Sequence, residues 1–197
     1  MISIDKVYQQ VLVLANKEQR GYITPQEFNL LAPNAQMEIF EQYFYDENQA
    51  DRNLKNSTQF SNADEMIDEK ISVFKRIGPV TMAPGGIGTI PPLSYRLGMV
   101  FRQLNGIEVE QLTEEDALYY RKSKLAKPTS QYPAYYRLNS KQIQVYPNFG
   151  DGVDCHYIKK PAKPSWAYVV VNEKALYNAP NSSDFELHSS DESELVY

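Results

Sequence analysis

Residues 16–45 have the sequence NKEQRGYITPQEFNLLAPNAQMEIFEQYFY, in which a helix start signal precedes an aromatic-rich apolar pattern. Thr24 is a favourable N-cap residue, Pro25 can occupy the first helical position without losing a hydrogen bond, and Glu27 can bond back to the cap. The apolar residues that follow recur at the spacing of one helix face: Phe28, Leu31, Ala35, Ile39 and Tyr43, widened by Phe40 and Phe44. The stretch predicts a long helix packed in a core, and no side chain on that face is typical of catalysis.

The surrounding sequence predicts two more helices, one over residues 4–16 and one from Ser61 that ends at Gly78–Pro79. We expect Pro33 to kink or restart the long helix, because proline removes a backbone hydrogen bond and clashes with the preceding turn. The polar residues 46–59 are expected to form a connection. Residues 1–77 are therefore predicted to be a helical part.

Residues 78–92, GPVTMAPGGIGTIPP, contain four prolines and four glycines, a composition that argues against both a helix and a central strand. We expect an extended arm whose apolar side chains contact a partner protein: Val80, Met82, Ile87 and Ile90. A flexible linker between two halves of the chain is the alternative. The GGIG sequence lacks the strand-then-helix context and the Lys-Ser/Thr of a phosphate-binding loop.

Residues 93–178 predict a small antiparallel β part, whose first hairpin turns at Asn105-Gly106. A short helix capped by Thr113 follows. The remaining predicted strands are residues 134–138, 142–146 and 153–159, and a last hairpin of residues 166–171 and 174–177. The acidic residues 179–197 begin a helical pattern that breaks off at Tyr197, so we expect an incomplete C-terminal helix. The predicted fold class is α+β.

The composition is that of a globular protein of 197 residues with a net charge of −5. The charge is uneven, with −4 over residues 1–92, +4 over 93–180 and −5 over 181–197. This pattern indicates either scattered surface charge or acidic and basic faces that meet between copies. The start of the sequence has no secretory signal pattern, and no apolar run approaches the roughly 20 residues that span a bilayer. No membrane association is expected.

The candidate chemical groups are few, and we predict no catalytic residue, metal site or cofactor site. Cys155 is the only cysteine, and its neighbour His156 would face the opposite side of a strand. His188 is the only other histidine, so a catalytic or metal constellation lacks members. Asp64, Glu65, Asp68 and Glu69 lie on one side of a predicted helix, where a solvated face is the favoured interpretation.

A basic and aromatic stretch is the main sign of nucleic-acid binding. Its candidate contacts are Arg121, Lys122, Lys124, Lys127, Lys159 and Lys160, among which Tyr119, Tyr120, Tyr132, Tyr135, Tyr136 and Tyr157 are interleaved. The net negative charge and the lack of an RNA-binding signature argue against this function. The alternative is that the tyrosines pack strands and the lysines protect sheet edges.

Three stretches carry a resemblance to a known group of proteins. ANKEQRGYITPQEFNLLAPNAQMEIFEQYFY resembles the N-terminal segment of virion structural proteins of tailed bacteriophages, especially crAss-like and short-tailed marine phages. YPAYYRLNSKQIQVYP and VDCHYIKKP resemble the small sheet of neck or ring components. WAYVVVNEKALYN and SSDFELHSSDESELVY are similar to the same family further along the chain.

The resemblance implies a structural protein and no enzyme. It implies a cyclic ring, commonly of twelve copies, at the head–tail junction, with the portal and adjacent ring or tail proteins as partners. DNA would pass through the ring without sequence-specific binding. The expected location is the virion, and the host cytoplasm during assembly. A nucleic-acid-binding module and an enzyme of unrecognised type are the alternatives.

Overall fold

The computed structural model describes residues 1–17, 21–50, 63–148, 150 and 152–196, and the chain forms two compact units. The first unit consists of Met1–Val73 and Pro161–Tyr197, and the second of Phe74–Lys160. The chain therefore leaves the first unit once and later returns to it. These limits differ from the predicted boundaries at residues 77, 92 and 178.

The helices and strands follow one another in an α+β order. They are α1 (Ile4–Lys17), α2 (Pro25–Ala50), α3 (Ala63–Ser72), β1 (Lys75–Ala83), β2 (Ile87–Thr89), β3 (Ser94–Arg102), β4 (Glu108–Gln111), α4 (Glu114–Lys122), β5 (Ala134–Arg137), β6 (Gln142–Tyr146), β7 (Val153–Lys159), β8 (Tyr168–Val171) and β9 (Lys174–Tyr177). Two short 3₁₀ helices, Ala179–Asn181 and Ser189–Glu192, complete the series. The predicted α+β class and the N-terminal helices are confirmed.

The long helix α2 begins at the predicted reciprocal cap. The Glu27 amide donates to the Thr24 hydroxyl at 3.3 Å, and the Thr24 amide donates to the Glu27 carboxylate at 2.9 Å. The helix continues through Pro33 and on to Ala50, so it does not restart at Pro33, and residues 46–50 of the predicted connection are helical instead. Residues 51–59 and Ser61, the predicted start of α3, lie outside the described residues.

The buried face of α2 is turned by one position from the predicted apolar stripe. Its members recur mainly every fourth residue: Phe28, Ala32, Gln36, Phe40, Tyr43 and Phe44, whereas Leu31 is 61% exposed. Gln36 can be buried because its amide donates to the Ala162 carbonyl at 2.7 Å and accepts from the Glu186 amide at 2.9 Å. The spacing of apolar residues does not identify a buried polar residue whose hydrogen-bond partners are so distant in the sequence.

The predicted C-terminal helix is wrong. No α-helix forms there: the stretch around Phe185 is extended between the two 3₁₀ helices, and it forms antiparallel bridges between Phe185 and Ile2 and between Ser183 and Ser165. Phe185 and Leu187 are both buried, and residues two apart share one face only in an extended chain. Tertiary burial therefore overrides the local helix signal there.

The second unit is a closed seven-stranded barrel with the strand order β1-β2-β6-β5-β4-β3-β7. Neighbouring strands are antiparallel except β4 and β5, which are parallel. The prediction of a small antiparallel part is therefore wrong, although its β3–β4 and β5–β6 hairpins and the cap of α4 by Thr113 are confirmed. Side chains fill the barrel interior: Val80, Ile90, Val100, Val109, Tyr135, Ile143, Val145, Val153 and Cys155.

Residues 78–92 supply much of two barrel strands, so the expected projecting arm is wrong. Pro79 lies in the part of β1 that pairs with β7, while β2 pairs only with Thr81–Ala83. A strand tolerates proline where it has a partner on one side only.

The glycines of this segment serve the turn and the packing of the barrel. Gly85 and Gly86 form the β1–β2 turn with φ of 92° and 83°. A Cβ on Gly88 would lie 2.5 Å from the Val80 Cγ1 atom, so β2 needs glycine there to pack closely against β1. The GGIG sequence is therefore structural.

Candidate functional site

Cys155, His156 and His188, which were predicted not to be catalytic, each have contacts typical of structural residues. Cys155 is fully buried in the barrel, and burial, with a smaller effect of Asp154, raises the pKa of its thiol to about 11. A thiol protonated at neutral pH is a poor nucleophile. His156 is exposed on the other face of β7 with its ring 5.2 Å from Phe101, which confirms the predicted opposite orientations. His188 accepts from the Ser190 amide at 3.3 Å and caps the last 3₁₀ helix.

Acidic residues of α3 do not gather into a site. Glu65, Asp68 and Glu69 are exposed on the helix surface. Within the described ranges, no group of three His, Cys, Asp or Glu side chains is placed to hold a metal ion. None of the helices that the structure describes has both the length and the apolar character needed to cross a bilayer.

The four residues predicted to contact a partner are used mainly inside the barrel. Val80 is 4% exposed and Ile90 is 3% exposed. Met82 packs against the same core, and Ile87 is half-buried. The folded second unit therefore offers little of these side chains to another protein.

The predicted basic and aromatic residues are split into two groups. Arg121 and Lys122 end α4, which contacts β5, and Lys124 and Lys127 follow in the next loop. Lys159 ends β7 and Lys160 follows it. In the barrel order, β4 and β3 separate β5 from β7 in one direction, and β6, β2 and β1 separate them in the other. The two groups thus lie on opposite walls and form no single patch.

The loop of residues 122–132, here called the basic loop, presents apolar side chains among its lysines. Leu125 is 100% exposed and Tyr132 is 79% exposed. Both line one shallow cavity of about 350 Å³ together with Tyr120. The Ser123 hydroxyl accepts from the Leu125 and Ala126 amides at 3.3 and 3.0 Å, so the turn that carries Leu125 has a defined conformation.

The β8–β9 hairpin is a second exposed apolar surface. Its side chains Val169, Val170, Val171 and Leu176 are 46–63% exposed. Successive strand residues face opposite sides, so both faces of the hairpin reach water. No further strand among the described residues pairs with either outer edge of this two-stranded sheet. At its base, Tyr168 and Tyr177 stack on Trp166 at 5.8 and 5.6 Å.

A depression of about 570 Å³ in the first unit, here called the apolar groove, is a third surface. It is lined by α1, by α2 and by the C-terminal segment, and its apolar residues include Val11, Phe28, Leu31, Ala32, Ile39, Phe185 and Leu195. Glu38 and Glu194 are its acidic lining residues, and both are exposed. The groove therefore combines an apolar floor with negative charge.

A buried ionic cluster fixes the C-terminal segment to the helices. Asp191 is 1% exposed, and it accepts from the Tyr43 hydroxyl, from the Lys70 ammonium at 2.6 Å and from the Ser190 hydroxyl at 3.2 Å. Burial, and then Asp191 itself, raises the pKa of Tyr43 well above its usual value. Sequence reasoning missed this cluster, because one aspartate in an acidic tail carries no signal.

Comparison of the chain with known protein families and with curated proteins finds no match in either. Three surfaces described above bear on its function. Those surfaces are the hairpin, the basic loop and the apolar groove, and each is suited to contact with another macromolecule.

Proposed function

We propose that this chain is a structural protein of tailed-phage virions. Its copies form a cyclic ring at the head–tail junction, commonly with twelve members, and bind the portal and adjacent ring or tail proteins. DNA passes through the ring without sequence-specific recognition. The biological setting comes from the resemblance of residues 15–45 to virion structural proteins of tailed phages and of the later β segments to ring and neck proteins.

The exposed β8–β9 hairpin is the observation that carries the proposal. Apolar surface in water favours association by about 25 cal/mol for each Å² that is buried. Unpaired strand edges also offer backbone donors and acceptors to a neighbouring chain. Proteins that stay monomeric usually cover or charge such edges, whereas this hairpin presents three consecutive valines.

Ring assembly requires two different faces on each copy, because one face must meet another face of the next copy. The hairpin lies in the first unit, and the basic loop lies in the second. The chain therefore has distinct surfaces with which a head-to-tail contact can be built.

The test is native mass spectrometry of the purified chain, alone and mixed with its portal protein. We expect cyclic oligomers in at least one of these samples. Val170→Lys, at a position 63% exposed, should weaken assembly because it places a charge on the hairpin. Val13→Lys is the matched control, since Val13 is 67% exposed on α1.

Two results would contradict the proposal. One is a wild-type chain that remains monomeric with and without the portal protein. The other is assembly that Val170→Lys and Val13→Lys leave equally intact, because the hairpin would then have no part in it.

Nucleic-acid binding is a second candidate function, favoured by one observation. Arg121, Lys122, Lys124 and Lys127 lie within one helix end and its loop, beside the exposed Tyr119 and Tyr132. Such residues can hold phosphates and stack on bases. Titration of labelled DNA across a range of salt distinguishes the two functions: a ring component should bind weakly, whereas tight binding that survives about 200 mM salt indicates a binding module.

A further inference from the structure

The two units carry opposite net charges. The first unit contains eight Lys and Arg against eighteen Asp and Glu, a net charge of −10. The second contains twelve against seven, a net charge of +5. Opposite charges steer association and determine which faces meet. The second unit of one copy is therefore electrostatically suited to the first unit of another.

The basic loop, in the positively charged second unit, has the features of a binding segment with one central apolar side chain. Leu125 is fully exposed between Lys124 and Lys127. The hydrogen bonds to the Ser123 hydroxyl hold the backbone of this turn. A preformed turn loses little conformational freedom on binding, which favours affinity.

The apolar groove has the complementary features on the negative side. Phe28, Ala32 and Phe185 line it and are each at most 6% exposed. Its volume of about 570 Å³ falls within the roughly 300–1,000 Å³ of binding pockets, so it has room for Leu125 and its neighbours. Glu38 and Glu194 add two carboxylates beside this apolar surface.

We propose that Leu125 of one copy inserts into the apolar groove of a second copy, where Lys124 and Lys127 face Glu38 and Glu194. The inference rests on the proposed ring assembly and names one contact that builds it. The loop and the groove belong to different units, so the contact is head-to-tail and can repeat around a ring.

A protein partner fits the basic loop better than a nucleic acid does. Leu125, the fully exposed side chain of the loop, is aliphatic and cannot stack on a base as Tyr132 could. Arg121, which precedes the loop, is one of the four cations named for nucleic-acid binding, and its guanidinium already lies 4.6 Å from the centre of the Tyr146 ring. The acidic groove offers both an apolar site for the leucine and carboxylates for the lysines.

Disulfide trapping between two variants that each carry one introduced cysteine tests the contact directly. Leu125→Cys is mixed with Leu31→Cys under mild oxidation; both native side chains are exposed, and Leu31 lines the groove. The native Cys155 is fully buried and should stay reduced. We expect disulfide-linked dimers of the two variants. The control is Leu104→Cys with Leu31→Cys, since Leu104 is a 71% exposed leucine in another loop of the same unit.

Assembly of substituted chains provides a second, independent measurement. Leu125→Ser should weaken self-association at least about tenfold, as expected for an anchor residue, and Leu104→Ser should leave it unchanged. Lys124→Glu with Lys127→Glu should weaken it as well. Mixing that chain with one carrying Glu38→Lys and Glu194→Lys should restore pairing between the two variants. The charges on both sides are then exchanged, so opposite charges face each other again.

The outcomes separate this contact from the proposed function. Equal trapping in the Leu125 and Leu104 mixtures, or rings of Leu125→Ser as stable as the wild type, would overturn the contact and leave ring assembly standing. Specific trapping by a chain that forms no ring with the portal protein would support the contact and overturn the ring. Substitutions in the basic loop that reduce DNA binding without changing self-association would overturn the contact in favour of the nucleic-acid function.

Discussion

Replacing Asp191 by Asn should strongly destabilise the first unit. The substitution keeps the size of the side chain but removes its charge. It also places an NH₂ donor against donors, because Asp191 accepts from Tyr43, Lys70 and Ser190. Removing one partner of a buried ion pair costs about 3–5 kcal/mol. The Lys70 side chain is 26% exposed and can regain some hydration in the variant. We therefore expect the free energy of unfolding to fall by about 3 kcal/mol, the lower end of that range.

An ion pair of the same length provides the control. Lys6 and Glu192 are also 2.6 Å apart, but their side chains are 59% and 28% exposed. Water and salt screen such a pair, so Glu192→Gln should change the free energy of unfolding little. The two substitutions affect consecutive residues of the chain, and burial is the main difference between them.

Urea unfolding followed by the fluorescence of Trp166 measures both effects. Trp166 is the only tryptophan, is 3% exposed and lies in the same unit as Asp191. With a slope of about 1–3 kcal/mol/M, a loss of about 3 kcal/mol lowers the midpoint by about 1–3 M urea. Equal midpoint shifts in Asp191→Asn and Glu192→Gln would refute the reasoning, because burial would then not determine the strength of the pair.

Three further predictions concern local features of the fold. Thr24→Ala removes the cap that Glu27 shares and should lower the free energy of unfolding by about 1 kcal/mol in the same urea assay. Cys155 should react with a thiol reagent at neutral pH only after unfolding, as alkylation rates would show. Because the pKa of its thiol rises from 9.0 to about 11 on folding, its contribution to the free energy of unfolding is present below pH 9 and is lost as the pH rises through 11. Gly88→Ala should destabilise the barrel by about 1–3 kcal/mol, measured by thermal unfolding, because the new methyl group would meet Val80; an unchanged midpoint would show that β1 and β2 can separate freely.

Much of the local structure could be predicted from the sequence, because the interactions that specify it join residues close together in the chain. The Thr24–Glu27 and Thr113–Asp116 caps each span three residues. The Asn105-Gly106 dipeptide marks the connection between β3 and β4, although residues 103–106 form a loop in which only Gly106 has a positive φ, 66°. The opposite orientation of Cys155 and His156 follows from the alternation of a single strand. Each of these predictions needed no knowledge of distant partners.

The candidate surfaces could be predicted only in part. The lysines of the basic loop stand out by composition, but the full exposure of Leu125 depends on how α4 and its loop pack against the barrel. The apolar groove is assembled from α1, α2 and the C-terminal segment, so no single stretch of sequence contains it. The opposite charges of the two units emerge only when the chain is divided where the structure divides it.

The sequence by itself determined the helix starts, the tight turns and the alternation of strands, while the tertiary structure decided which segments are buried. Residues 78–92 look like a linker because proline and glycine weaken any isolated strand, yet β7 and β6, far along the chain, pair with them and close the barrel. The C-terminal segment carries helix signals, but the burial of Phe185 and Leu187 holds the stretch around them extended within the first unit. Gln36 and Asp191 are polar residues that enter the interior only because distant backbone and side-chain groups satisfy them. In each case the conformation is determined by contacts with residues that are distant in the sequence, and local secondary-structure propensity does not depend on those residues.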